Sequence, residues 1–264
     1  MLSEILTFIF FVLIGLEIRE GLQRPKDAIL PAISALGGML LPALIFTLLV
    51  PGSRAWAVSM PTDVALAIGA LSILGKRVNP AVRLFLLTLA VADDFFSLVV
   101  IGIFFSDDLH LASAIYTLGA ATIGFVLPFR HRLIAILSPI ATFVVIPVYI
   151  FINLLTQLDF SVSTEKISTS IVIARVVGKV LGITLFTCLA TRFTKLTLPS
   201  ALEIKEVVGI GFLAGMGLTV SIVIAEITLQ TESELAQVRM GLFFAAIVSG
   251  LCGVLWLRRF PASL

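Results

Sequence analysis

Two adjacent carboxylates, Asp93 and Asp94, interrupt an otherwise apolar run from Leu84 to Phe105. Wound as a helix at about 1.5 Å per residue, that run is long enough to cross a bilayer. Arg83 precedes it, which puts the acids near the midplane. A carboxylate at that depth costs about 3 kcal/mol on insertion scales, and two neighbours also repel each other. The pair is tolerated where protons, cations or buried counter-charges cancel part of its charge. An ion or proton site is the reading that accounts for it.

Other apolar runs carry the counter-charges. Arg175 and Lys179 stand four residues apart, a spacing that shares one face of a helix. Lys179 lies about as deep as the acids, whereas Arg175 is nearer the outer side, where it can snorkel or pair structurally. A further acid, Asp63, follows Pro61 and Thr62 inside another apolar run. Three aspartates against two cations leave a formal −1, which one monovalent cation or one proton would neutralise. Glu206 and Glu226, near the ends of their run where water is reachable, stay outside this sum. Successive helical positions diverge by about 100°, so the two neighbouring acids face different ways. Asp94 is expected to be the principal ion ligand and Asp93 the partner of Lys179. Hard cations such as Na+ and Li+ prefer oxygen donors, which carboxylates, Thr62 Oγ1 and freed backbone carbonyls can supply.

These residues need helices to hold them. A chain of 264 residues, 59% hydrophobic and 13% charged, is too apolar for a soluble domain. Apolar windows predict an all-α polytopic membrane protein with nine spans, near 2–21, 28–50, 56–75, 84–105, 110–128, 133–156, 167–191, 206–229 and 236–257. Thirteen Lys and Arg residues fall in alternate loops and the C-terminus, among them Arg24, Lys76, Arg130, Arg192 and Arg258. The opposite side has three, Arg54, Lys166 and Arg239. That asymmetry predicts an outside N-terminus and a cytoplasmic C-terminus. Met1 to Gly21, with no basic start or small-residue cleavage site, reads as a span and not as a signal peptide.

Two spans contain helix-breaking residues at their centres. The third holds Ser59-Met60-Pro61-Thr62-Asp63, and the eighth holds Gly209, Gly211, Gly215 and Gly217 before Thr219 and Ser221. Proline removes a backbone hydrogen bond, and glycine lets the chain leave helical geometry. Kinked helices with small-residue packing are the plainer reading of the glycines. Position argues for more: spans 2–4 start inside, spans 7–9 start outside, and the broken span is the middle one of each triplet. Residues 28–105 and 167–258 therefore read as inverted repeats of a single membrane domain, the arrangement of secondary transporters.

Other classes are poorly served. An intramembrane aspartyl protease needs two acids facing each other from separate helices, and Asp93 and Asp94 are consecutive, so no enzyme is expected. The net charge of +2 offers no nucleic-acid surface. Cys188 and Cys252 have no partner at metal-ligand spacing and read as small core residues. His110 and His131 sit at predicted loop positions. No cofactor is called for: Na+ or Li+ and protons would be cargo. The remaining partners are the lipid bilayer and, compatible with the sequence, a second copy in a homodimer.

The same residues carry a resemblance to the NhaA family of bacterial Na+/H+ antiporters. It runs through Phe10-Phe11-Val12-Leu13-Ile14-Gly15-Leu16-Glu17, Pro61-Thr62-Asp63-Val64-Ala65-Leu66-Ala67-Ile68-Gly69 and Leu89-Ala90-Val91-Ala92-Asp93-Asp94. It continues in Val176-Val177-Gly178-Lys179-Val180-Leu181-Gly182-Ile183 and Gly215-Met216-Gly217-Leu218-Thr219-Val220-Ser221-Ile222. NhaA is itself a standard example of the inverted-repeat architecture, so agreement with that architecture is not independent support. The resemblance implies Na+/H+ exchange by alternating access in a bacterial inner membrane, serving sodium transport and pH homeostasis. Asp93 and Asp94 resemble its ion- and proton-binding acids, Lys179 the lysine of electrogenic members, and Thr62 and Asp63 the first interruption.

Against the family pattern the chain begins at the second span and lacks two more after Ser106-Asp107-Asp108-Leu109-His110, rejoining at Thr117-Leu118. Ile134, Ala135 and Ser138 stand where the family has an acid and histidines resembling its pH-sensing region, so family-type pH gating does not carry over. Arg175 replaces a small residue, a new cation that would weaken Na+ binding. A shortened chain of this kind also admits a second reading, a transport-inactive or regulatory protein that keeps the antiporter core.

Overall fold

A computed structural model describes residues 2–21, 25–75, 78–105, 111–127, 130–199 and 202–260. Among them there is no strand, and the protein is an all-α polytopic membrane protein. The helices are α1 (Leu2–Gly21), α2 (Pro25–Leu49), α3 (Val64–Ser72), α4 (Pro80–Phe104), α5 (Leu111–Val126), α6 (Arg130–Ile140), α7 (Ile146–Asn153), α8 (Lys166–Ile173), α9 (Lys179–Phe193), α10 (Ile204–Ala214), α11 (Thr219–Thr228) and α12 (Glu232–Arg258). A 3₁₀ turn, Arg54–Ser59, precedes α3, and π turns join α6 to α7 and α8 to α9.

Among the described residues, five stretches are long and apolar enough to span: Ala28–Leu49, Arg54–Ser72, Pro80–Phe104, Lys166–Phe193 and Glu232–Arg258. The pair α10 and α11, bent by 50° across its break, makes a sixth if counted as one. Of the nine expected spans, five or six meet that length and composition among the described residues. Helix α5 has only 16 residues, α1 carries Glu4, Glu17, Arg19 and Glu20, and α6–α7 is divided by a π turn between Pro139 and Pro147. His131, expected in a loop, is in α6, and His110 lies outside the described residues.

Local chemistry sets the element ends. Asn79 caps α4 by accepting from Ala81 N at 2.9 Å, with Pro80 preset at the first helical position. Thr231 caps α12 the same way through Glu234 N. Gly52 (φ 82°) turns the chain out of α2, and Gly75 (φ 59°) follows α3, both in the left-handed region that glycine enters freely.

Small residues let two helix pairs close on each other's backbone. A Cβ on Gly37 of α2 would strike Gly182 O of α9, and one on Gly182 would strike Gly37 O. Between α1 and α5, a Cβ on Gly15 would strike Ala121 O and one on Gly124 would strike Val12 O. Such approach is how helices associate in lipid, where no hydrophobic force separates them from the solvent.

The apolar interior is divided in two. One core takes Met39, Phe46, Val58, Met60, Ile101, Ile171, Ala174, Leu218 and Val220. The other takes Leu30, Ala35, Ala67, Leu89, Ile183, Leu213 and Ala214. Each crossing element passes from one core to the other at one level: between 35 and 39, 60 and 67, 89 and 101, 174 and 183, and 214 and 218. The buried charges and both helix breaks sit at that level.

Candidate functional site

The first break runs from Met60 to Asp63. Pro61 cannot donate to a helical hydrogen bond, so the 3₁₀ turn stops and α3 restarts with Asp63 as its N-cap. The second runs from Gly215 to Leu218 between α10 and α11. It lies against the first, because a Cβ on Gly217 would meet both Pro61 O and the Arg175 guanidinium.

Asp63, buried, gathers N–H groups from both restarted helices. Its Oδ1 accepts from Ala65 N (3.1 Å) and Leu66 N (3.3 Å) of α3. Its Oδ2 accepts from Thr219 Oγ1 (2.8 Å) and Thr219 N (3.4 Å) at the start of α11. One carboxylate thus meets the positive ends of two helix dipoles.

Arg175 does the reverse. Its Nη1 donates to Val58 O (2.8 Å) and Ser221 Oγ (2.8 Å). Its Nε donates to Gly215 O (3.2 Å) and Nη2 to Pro61 O (2.5 Å). Three of these acceptors are carbonyls that the interruptions leave without a helical partner. Arg175 is 0% exposed and does not snorkel. Its geometry is that of a structural pairing.

Four residues along, Lys179 is equally enclosed. Its Nζ donates to Asp93 Oδ2 (2.9 Å) and to Thr62 Oγ1 (2.8 Å). The two cations reach the same break one residue apart, Arg175 at Pro61 and Lys179 at Thr62. Asp93 Oδ1 and, on the same helix, Ser97 Oγ are buried without a hydrogen-bond partner among the described residues. Asp94 is buried at 4% exposure, within electrostatic reach of Lys179. A carboxylate–ammonium pair enclosed in a low-dielectric layer, next to a second carboxylate, can trade a proton or a small cation for its internal partner.

All the candidate residues come together here: Asp63, Thr62, Asp93, Asp94, Lys179, Gly215, Gly217 and Thr219. Glu206, expected near water, is buried and serves a helix cap, accepting from Glu203 N at 2.8 Å. Cys188 and Cys252 are partly buried free thiols. Ile134 is partly buried, while the side chains of Ala135 and Ser138 are not described. Sequence reasoning missed the acceptors of Arg175. Backbone carbonyls have no signature in residue type, and only Ser221, two positions after Thr219, could have been named.

Comparison with known proteins places the chain among transporters. A family profile described as Na+/H+ antiporter 1 matches residues 1–131 and 128–257, two stretches that meet at the start of α6. The Na+/H+ antiporter NhaA 2 of Aliarcobacter butzleri (strain RM4018) is 28% identical, covering 96% of this chain and 80% of its own. The Na+/H+ antiporter NhaA of Salmonella paratyphi B is 29% identical, with 97% and 82% covered. That of Actinobacillus pleuropneumoniae serotype 7 is 29% identical, with 95% and 80% covered. The alignment to the first extends over 318 positions, more than the 264 residues here, so that relative has residues without a counterpart. Proteins so described are transporters, not enzymes, and this chain belongs to the Na+/H+ antiporter 1 family, that of the NhaA antiporters.

Proposed function

We propose that this protein exchanges Na+ or Li+ for protons across the bacterial inner membrane by alternating access. Asp94 is the principal cation ligand, and Asp93 and Lys179 form the internal pair that couples to it. One observation supports this reading above others: the enclosed Lys179 ammonium holds Asp93 and Thr62 together beside Asp94. With Asp63 and Arg175 included, the buried set sums to −1, so an alkali cation and a proton are equivalent means of making it neutral. A neutral set can cross between access states, and a charged one resists passage through the low-dielectric layer. Competition for one charge deficit is the physical content of exchange.

Thr62 Oγ1 and the carboxylate oxygens are hard donors suited to Na+ and Li+. Residues 28–105 and 167–258 act as inverted repeats that rock about the site, with the N-terminus outside and the C-terminus in the cytoplasm. The test is a proton gradient imposed on everted vesicles. Addition of Na+ or Li+ should dissipate it. No response to either ion across the neutral and alkaline range would leave a transport-inactive protein in place of an exchanger.

A further inference from the structure

The two breaks expose backbone groups of both signs inside the protein, and the two signs are collected separately. Around Arg175 stand Val58 O, Pro61 O, Gly215 O and Ser221 Oγ, none farther than 3.2 Å from a guanidinium nitrogen. Three carbonyls and a hydroxyl converging on one enclosed point are the donor set with which unwound transporter helices hold monovalent cations. Carbonyl rings in ion channels replace a hydration shell in the same manner. Here the point is filled from within. Arg175 is 0% exposed, and even a methyl group on Gly217 would collide with its guanidinium.

We propose that Arg175 is the tethered occupant of a second monovalent-cation site, built by the carbonyl sides of both breaks and separate from the Asp93–Asp94 pair. A planar guanidinium suits this set because its rigid fork can serve four acceptors at once, whereas an ammonium is a single point charge with three donors. The tether makes that charge permanent. Emptied of its side chain, the same cavity takes free guanidinium or an alkali cation.

For transport, a consequence follows that rests on the exchange proposed above: with Arg175 removed, the buried sum passes from −1 to −2, and a second monovalent charge is needed for neutrality. Occupancy itself does not rest on exchange, so the primary test uses binding. Thermal unfolding of the purified full chain is measured for wild type, Arg175→Ala, Arg175→Lys and Arg175→Gln. Each is tested with guanidinium chloride at low millimolar, non-denaturing concentration and with equal tetramethylammonium chloride.

Arg175→Ala is expected to unfold about 10 °C lower. Guanidinium should raise that midpoint saturably, by the linkage between ligand and folded state, while tetramethylammonium, too large for the cavity, should not. An unchanged midpoint in Arg175→Ala, or equal effects of the two salts, overturns the proposal. Should Arg175→Ala fail to fold, the other pair decides: Arg175→Lys is expected between wild type and Arg175→Gln. Equal midpoints for lysine and glutamine would show that no cation is required there. Guanidinium rescue with no vesicle exchange by wild type would sink the exchange reading and leave this site standing.

Discussion

Lys179 and Arg175 share the Lys166–Phe193 stretch and complete burial, yet they face opposite chemistry. Lys179 meets a carboxylate and a hydroxyl through one ammonium. Arg175 meets three carbonyls and a hydroxyl through a guanidinium. The first set has an acceptor that titrates and a neighbour, Asp94, of the same kind. The second has no carboxylate among its acceptors. A buried charge among fixed dipoles is a structural clamp, and a buried charge facing an acid can be exchanged. The difference teaches that the presence of a cation in a membrane interior says little until its acceptors are known.

The largest effect that would break this division is expected at Asp94. Asp94→Asn should abolish Na+-dependent proton movement in everted vesicles while leaving the protein in the membrane. Retained exchange would remove the carboxylate side from its assigned role.

Next comes Gly217→Ala. The added methyl group meets Arg175 and the backbone of Pro61, where no flexible chain end can yield on the second contact. Overpacking of this kind costs about 1–3 kcal/mol or more. Gly69→Ala is the matched control in α3, with nothing within 4 Å of its Cβ, and helix propensity favours alanine there by about 1 kcal/mol. The expected result is a lowered unfolding midpoint for the first and an equal or raised one for the second. Two similar midpoints would show that the clamp around Arg175 is not tightly packed.

Lys179→Ala is set apart by its effect on transport. It leaves Asp93 Oδ2 without its ammonium and makes the buried sum more negative, so charge movement per cycle or its pH dependence should change. Electrical recordings on proteoliposomes would detect this. An unaltered profile would show that the lysine is uncoupled from transport, a clamp like Arg175.

Much of this layout was legible in residue types. Pro61 and the glycines before Thr219 announce the interruptions, because they remove a donor or permit a turn wherever the sequence is otherwise helical. Asp93, Asp94 and Lys179 stand out because charge in an apolar run is costly. The sites of Asp63 and Arg175 were harder to read. Asp63 could be recognised as an acid after a break, but that it would cap two helices depends on a contact 156 residues away. Arg175 binds backbone, and every residue has a carbonyl. The span count was the least legible feature: α1 is acidic at both ends and α5 is short, so among the described residues helix length and charge mark five or six spans where hydropathy windows mark nine.

The smallest effect belongs to the acid that holds helix ends. Thr219→Val keeps the shape and removes the hydroxyl that donates to Asp63 at 2.8 Å. A hydrogen bond to a charged group contributes about 1.5–3 kcal/mol. Asp63 retains three backbone donors, Ala65 N, Leu66 N and Thr219 N, so the loss should lie at the low end of that range. A decrease of a few degrees in unfolding midpoint is expected, with exchange retained. Combined with Lys179→Ala the two losses should add, because the hydroxyl serves the helix N-termini and the lysine serves the carboxylate pair. Strong non-additivity would mean that Asp63 is electrically part of the Lys179 cluster, and the separation between clamp and exchangeable pair would then fall at Arg175 alone.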